Sequence, residues 1–326
     1  MLMKKIFISI MAVAALAACN KAEIVDLNPG EAIEFGNAFV DNATKAEDPS
    51  YSANDITSFK VYGTVNGENN DVLIYPGTEV TKGSANYGAA WTCPIKQYWV
   101  PGATYKFIGI VDGDKADVSS TTLVNGMPTQ ISYKADGVTD ILCTTVEKTA
   151  NTDGTPNGIV EFTFSHLLAK AKFTVNNKSI EATNYLHKVH DIKITNAYNN
   201  ATYNITSKEW IDKTNNDGGG QAFDNITAEA VSTESANEKL LIPGLESITV
   251  EFIVDLYYVE TVDGVKKETL VGTTEYTTAK GTAKTANVKI EAGKAYDFNV
   301  NVAVGEPIQF TVKEQPKWTD NGDTTI

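Results

Sequence analysis

Apolar and polar residues alternate along much of this chain with a period of two, the pattern of strands that bury one face. Phe59, Val61 and Val65 share a face across Lys60, Tyr62 and Thr64. Ile248, Val250, Phe252, Val254 and Leu256 alternate with Thr249, Glu251, Ile253 and Asp255, and Phe298, Val300, Val302 and Val304 with Asn299, Asn301 and Ala303. Ile308, Phe310 and Val312 make a last run against Gln309 and Thr311. Tyr105 to Val111 is more continuously apolar, which predicts a strand covered on both faces. Asp263-Gly264 predicts a tight hairpin. Helical periodicity is scarce; the candidates, 179–188 and 227–239, lack an apolar stripe. Many strands with regular turn signals predict an all-β sandwich protein. One strand-rich block hands over to another near Ala169, which places a domain boundary there and divides the body into 46–168 and 169–326.

The segment from Asn20 to Lys45 breaks the expectation of a plain tether. It carries a turn signal at Asn28-Pro29-Gly30, but Ile33-Glu34-Phe35 then alternates as a strand does, with Phe39 and Val40 beyond. A flexible spacer needs none of these side chains. They predict a strand that packs on the body, followed by a polar break over 41–47.

Residues 1–19 change the picture of where the protein works. Lys4 and Lys5 precede a short apolar core from Ile6 to Ala15, closed by Leu16-Ala17-Ala18-Cys19. The apolar run falls short of the roughly 20 residues that cross a bilayer, so 1–18 reads as a cleaved signal peptide. Leu-Ala-Ala-Cys resembles the lipobox of bacterial lipoproteins. That resemblance implies Cys19 as the lipidated (palmitate-bearing) residue, and with Asn20 following, an outer-membrane destination.

Length and charge narrow the functions. The 326 residues suffice for two domains. A net charge of −14 repels phosphate backbones and anionic lipid, which argues against nucleic-acid partners. All 27 basic residues are lysines. Cys93 and Cys143 have two open readings, a disulfide that an exported compartment permits or two buried free thiols.

Little in the chain suggests catalysis, and neither catalytic, cofactor nor metal residues are assigned. His187, His190 and Asp191 superficially suggest a metal site, but three-residue spacing on a strand sends the two rings to opposite faces. His166 reads as a hydrogen-bonded junction residue. Asp112-Gly113-Asp114 with Asp117 resembles the start of a calcium loop, but Leu123 stands where the closing acid belongs, so a turn is the better reading. Trp91, Tyr98 and Trp99 could line a sugar-binding surface, although at strand spacing such residues are more often core.

Three segments together resemble the fimbrillin (type V pilin) family. They are Lys96 to Phe107, with Gln97-Tyr98-Trp99-Val100-Pro101-Gly102; Phe162 to Phe173, with Ser165-His166-Leu167-Leu168-Ala169-Lys170-Ala171-Lys172; and Tyr296 to Trp318. The resemblance implies two transthyretin-like antiparallel β-sandwich domains in series, and a non-enzymatic structural subunit of a surface fimbria that supports adhesion. Residues 19–45 would be a propeptide whose strand, with Ile33 and Phe35, fills a groove. Cleavage would fall between Lys45 and Ala46, where Thr44-Lys45-Ala46 stands for the family's usual Thr-Arg-Ala and requires a lysine-tolerant protease. Ile308, Phe310 and Val312 would then be the candidate donor strand for another pilin subunit, or else simply the last strand of their own domain. Partners would be pilin subunits, the membrane lipid before maturation, and a host or bacterial surface ligand. The alternative is a surface lipoprotein that binds glycans or peptides without polymerising.

Overall fold

The structure is a computed structural model that describes residues 30–40, 56–67, 70–83, 91–111, 116–117, 123–179, 184–215 and 220–315. In chain order the strands begin with β1 (Phe35–Val40), β2 (Ser58–Val65), β3 (Val72–Lys82), β4 (Trp91–Thr92), β5 (Thr104–Val111) and β6 (Ala116–Asp117). There follow β7 (Leu123–Val124), β8 (Met127–Pro128), β9 (Gln130–Lys134), β10 (Leu142–Thr149), β11 (Val160–His166) and β12 (Ala169–Asn177). Then come β13 (Tyr185–Ile194), β14 (Asn200–Asn204), β15 (Glu209–Thr214), β16 (Gln221–Ala222), β17 (Ile226–Ala228) and β18 (Thr233–Ser235). The chain finishes with β19 (Lys239–Leu241), β20 (Ile248–Val262), β21 (Val265–Tyr276), β22 (Lys284–Ala286), β23 (Ala295–Val302) and β24 (Gln309–Gln315). Among the described residues there is no helix. The two helix candidates are corrected: 185–188 opens β13, and 227–239 holds β17, β18 and the start of β19. Without an apolar stripe at helical spacing, 185–188 gain more from pairing on β20, and 227–239 from pairing on β12 and β13, than from a helix.

A seven-stranded sheet runs β1-β11-β10-β5-β2-β3-β4. It curls around an aromatic core that includes Phe59, Tyr75, Tyr105, Phe107, Phe162 and Phe164. Its opposite face packs Tyr62, Ile108, Ile110 and Cys143 against Ile131, Tyr133, Tyr203 and Trp210 of a four-stranded sheet, β15-β14-β9-β6. The near-continuous apolar run of β5 is thereby explained, since Tyr105 and Phe107 serve one core and Ile108 and Ile110 the other.

After His166 the chain changes sheets. β12 lies in the sheet β18-β12-β23-β24, with β19 also on β12, and it faces the sheet β16-β13-β20-β21. Between them lie Phe173, Val175, Val189, Ile194, Val250, Phe252, Phe298 and Val300. Pairing is antiparallel apart from β1 on β11 and β12 on β23, which run parallel. The expected hairpin at Asp263-Gly264 forms, with both residues at positive φ (54° and 78°), as the right-handed twist of its strands requires. A second hairpin, formed by β14 and β15, links the two strand-rich blocks. It pairs with β9 and so joins a sheet with residues from the first half of the chain.

Candidate functional site

The predicted N-terminal strand occupies a groove in the seven-stranded sheet, held by backbone on both sides. On one side, the Ile33 N–H donates to the Gln97 carbonyl (2.8 Å) and the Trp99 N–H donates to the Glu31 carbonyl (2.9 Å). On the other, the Val160 N–H donates to the Glu34 carbonyl (2.8 Å), and β1 continues beside β11 to the pair Val40–Phe164. The pairing slips once between Gly36 and Phe39, a bulge that lets the strand bend with the sheet. The segment therefore closes the curl between β11 and residues 97–99.

Its side chains fill the core beneath. Ile33 and Phe35 are 5% and 4% exposed. The Phe35 ring lies 5.2 Å from Tyr75, 5.8 Å from Phe162, 5.9 Å from Phe107 and 6.5 Å from Phe59, mostly edge to face. Burying such a ring contributes about 1.5–3 kcal/mol, before any aromatic pairing.

Glu31, which the sequence reading passed over, anchors the start of this strand. Its carboxylate accepts from the Asn157 N–H (2.6 Å), the Asn157 side-chain amide (2.9 Å) and the Gly158 N–H (3.0 Å). These donors, the Asn157 backbone first, hold its carboxyl below the usual glutamate value, and the Lys148 charge adds to the effect. Lys148 in turn donates to the carbonyls of Asn157 and Ile159. The loop 151–159 is thus tied to the strand from one end and to β10 from the other. A glutamate in a polar segment gives no sequence signal for partners so distant in the chain.

The last strand is held differently. β24 is an edge strand, antiparallel to β23, with Phe310 opposite Val300 and Val312 opposite Phe298. Phe310 stacks on Phe298 at 6.3 Å and approaches Phe252 at 6.4 Å. Ile308, Phe310 and Val312 are only half-buried against this core. The candidate donor strand therefore lies at home, with one backbone edge unpaired among the described residues.

The other candidate residues disperse. Cys93 is half-buried beside the aromatic core, and Cys143 is buried beneath the other face of the sheet; both are free thiols. Burial pushes the Cys143 thiol up to about 12. His166 is buried and pairs with Asp140, beside the turn at Leu167 whose carbonyl accepts from Trp210. His187 is buried, and desolvation lowers its pKa, whereas His190 lies half-exposed between Asp191 (3.1 Å) and Asp255 (3.2 Å). Among the described residues no group of three metal-ligating side chains converges.

Of the three aromatics, two follow the core reading. Trp99 is core, 4.7 Å from Tyr105, and Trp91 packs on Phe59 at 5.3 Å. Tyr98 alone of the three is exposed, at 37%. Cys19, Thr44, Lys45, Ala46 and the Asp112-Gly113-Asp114 run lie outside the described residues; Asp117 ends β6.

A family model described as fimbrillin-like matches residues 44–315. No curated protein matches. A candidate cell-adhesion protein of Bacteroides uniformis is similar in structure, with a TM-score of 0.46 and 15% identity, over 90% of this chain and 99% of that one. Another from Bacteroides ovatus gives 0.48 and 14% identity over 89% and 98%.

Proposed function

This chain belongs to the fimbrillin-like family, and on that premise we propose that it is a fimbrial subunit assembled by donor-strand exchange. The family is one of surface fimbrial and adhesive proteins rather than enzymes. In the proposed pathway the signal peptide directs export, Cys19 is lipidated, and the protein reaches the outer membrane. A lysine-tolerant protease then cuts after Lys45. The first strand leaves, and a strand from a neighbouring subunit enters its place, with Ile308, Phe310 and Val312 as donors.

The observation that carries this reading is the placement of residues 31–40. Their first residues bond to 97–99 and the rest to β11, so their removal would uncover the edge of β11, the backbone of 97–99 and an apolar trough at once. An incoming strand restores both sets of hydrogen bonds and refills the pockets. Because donor and acceptor surfaces differ, such contacts propagate as a filament rather than closing as a dimer. The proposed domains, 46–168 and 169–326, are supported by the change of sheet after His166. In this reading the 200–214 hairpin is lent back to the first domain.

Limited cleavage of the precursor with a lysine-specific protease tests the scheme. A single cut after Lys45, with a ladder of multimers on an unboiled denaturing gel, is the expected result. Cutting at many lysines with the product still monomeric would remove the pilin reading and leave a surface lipoprotein that binds glycans or peptides.

A further inference from the structure

The chain contains the pattern Glu-x-Ile-x-Phe twice, as Glu31-Ala32-Ile33-Glu34-Phe35 and as Glu306-Pro307-Ile308-Gln309-Phe310. The first copy opens the groove-filling strand, and the second leads into β24.

Glu31 supplies a carboxylate to three N–H and amide donors of Asn157 and Gly158, and Ile33 and Phe35 fill the pockets. Between them, the backbone bonds to residues 97–99 use the Glu31 carbonyl and the Ile33 N–H. The Ala32 N–H makes neither bond, so proline at that position, as in Pro307, forfeits none of this pairing. Glu34 contributes its carbonyl to Val160 and leaves its side chain exposed, a role that glutamine fills equally well. Each of the five positions of 306–310 therefore meets the demand of its counterpart.

At home the second copy uses less of itself. Glu306 is exposed, and its carboxylate has no partner among the described residues, while Ile308 and Phe310 are half-buried. An acid that is idle in its own domain but matches an anion-binding loop in the other domain sets a register. We propose that Glu306 is the register-setting residue of the donated strand. In a second copy of this chain its carboxylate replaces Glu31 on Asn157 and Gly158, which places Ile308 and Phe310 in the pockets of Ile33 and Phe35. Any one-residue slip would turn those side chains out of the pockets and take the carboxylate off the loop. The inference rests on the strand-exchange reading above and adds to it a positioning residue and an identical partner.

The test uses the full chain cut once within 41–55, through an inserted protease site where cutting at Lys45 is not clean. A labelled peptide spanning 304–315 is added, and its binding and the release of the N-terminal fragment are both followed. The wild-type peptide is expected to displace the fragment, and its Glu306→Gln form to bind about tenfold or more weakly, since a charge-assisted contact becomes a neutral one. On a chain carrying Asn157→Asp, the preference for glutamate over glutamine should vanish or reverse, which a purely structural role would not produce. Equal binding of both peptides with fragment release would overturn the register proposal and leave strand exchange standing. Failure of both peptides to displace the fragment would overturn the register proposal and strand exchange together.

Discussion

The first and last strands present the same alternation of isoleucine and phenylalanine, yet the protein holds them in opposite ways. Ile33 and Phe35 lie in a groove with hydrogen-bonded backbone on either side and aromatic rings around Phe35. Ile308 and Phe310 belong to an edge segment, half-buried, with a single strand for a neighbour. Burial per residue scales with the apolar area removed from water, so the groove is the better site for either copy. Under the proposed exchange, the chain therefore has a reason to keep the first strand covalently attached until the moment of assembly. Once that link is cut, the fragment becomes a separate molecule, and a donor moving from edge to groove gains burial.

The contrast predicts its largest effect in stability. Phe35→Ala removes a ring from a closed aromatic cluster and should lower the unfolding free energy by about 3–5 kcal/mol. Phe310→Ala, at the half-exposed edge, should cost about 1 kcal/mol. Denaturant unfolding of the uncut chains measures both, and equal losses would erase the distinction between the two strands. Multimer formation should invert the order. After cleavage at Lys45, Phe310→Ala should stay folded and yield no ladder, because the emptied Phe35 pocket would have nothing to receive. An intact ladder from that variant would assign the donor role to another segment.

The two cysteines sharpen the comparison from within the core. Cys93 packs on the aromatic cluster that Phe35 completes, whereas Cys143 lies against the other face of the same sheet. Release of the first strand should speed thiol labelling of Cys93 several-fold. Cys143, with its thiol pushed up to about 12 by burial, should remain unlabelled near neutral pH. Simultaneous labelling of both would mean that losing the strand unfolds the sheet rather than opening a groove.

Local features of this fold were legible in the residues, and relations between distant segments were not. Alternation in 248–256 and 298–302, the continuous run of β5 and the Asp263-Gly264 turn each depend on near neighbours, and each appears as expected. The parallel pairings of β1 with β11 and β12 with β23 are invisible to periodicity, which reports the face of a side chain and not its strand partner. The same holds for β9 with β14, whose pairing carries a sheet across the change from one strand-rich block to the next. Of the candidate site, Ile33 and Phe35 stood out because apolar residues in a polar tether need a reason. Glu31 did not, because its value comes from a loop 126 residues away in the chain.

That anchoring glutamate yields the smallest effect, and one with a defined sign. The Asn157 backbone N–H, followed by the other donors and Lys148, lowers the Glu31 carboxyl from its ordinary value of 4.5. A depressed carboxyl contributes fully above the unfolded value and loses its contribution as pH falls through the folded one. After a cut within 41–55, retention of the N-terminal fragment should therefore be level from pH 8 to about 5 and weaken below 4.5. Other carboxylates titrate in the same window, so Glu31→Gln supplies the control. That variant, neutral throughout, should hold the fragment less tightly at neutral pH and lose less of its hold on acidification. Gel filtration of the cut protein across this range reads both curves. Identical acid profiles for the two chains would mean that Ile33, Phe35 and the backbone retain the strand without help from the glutamate.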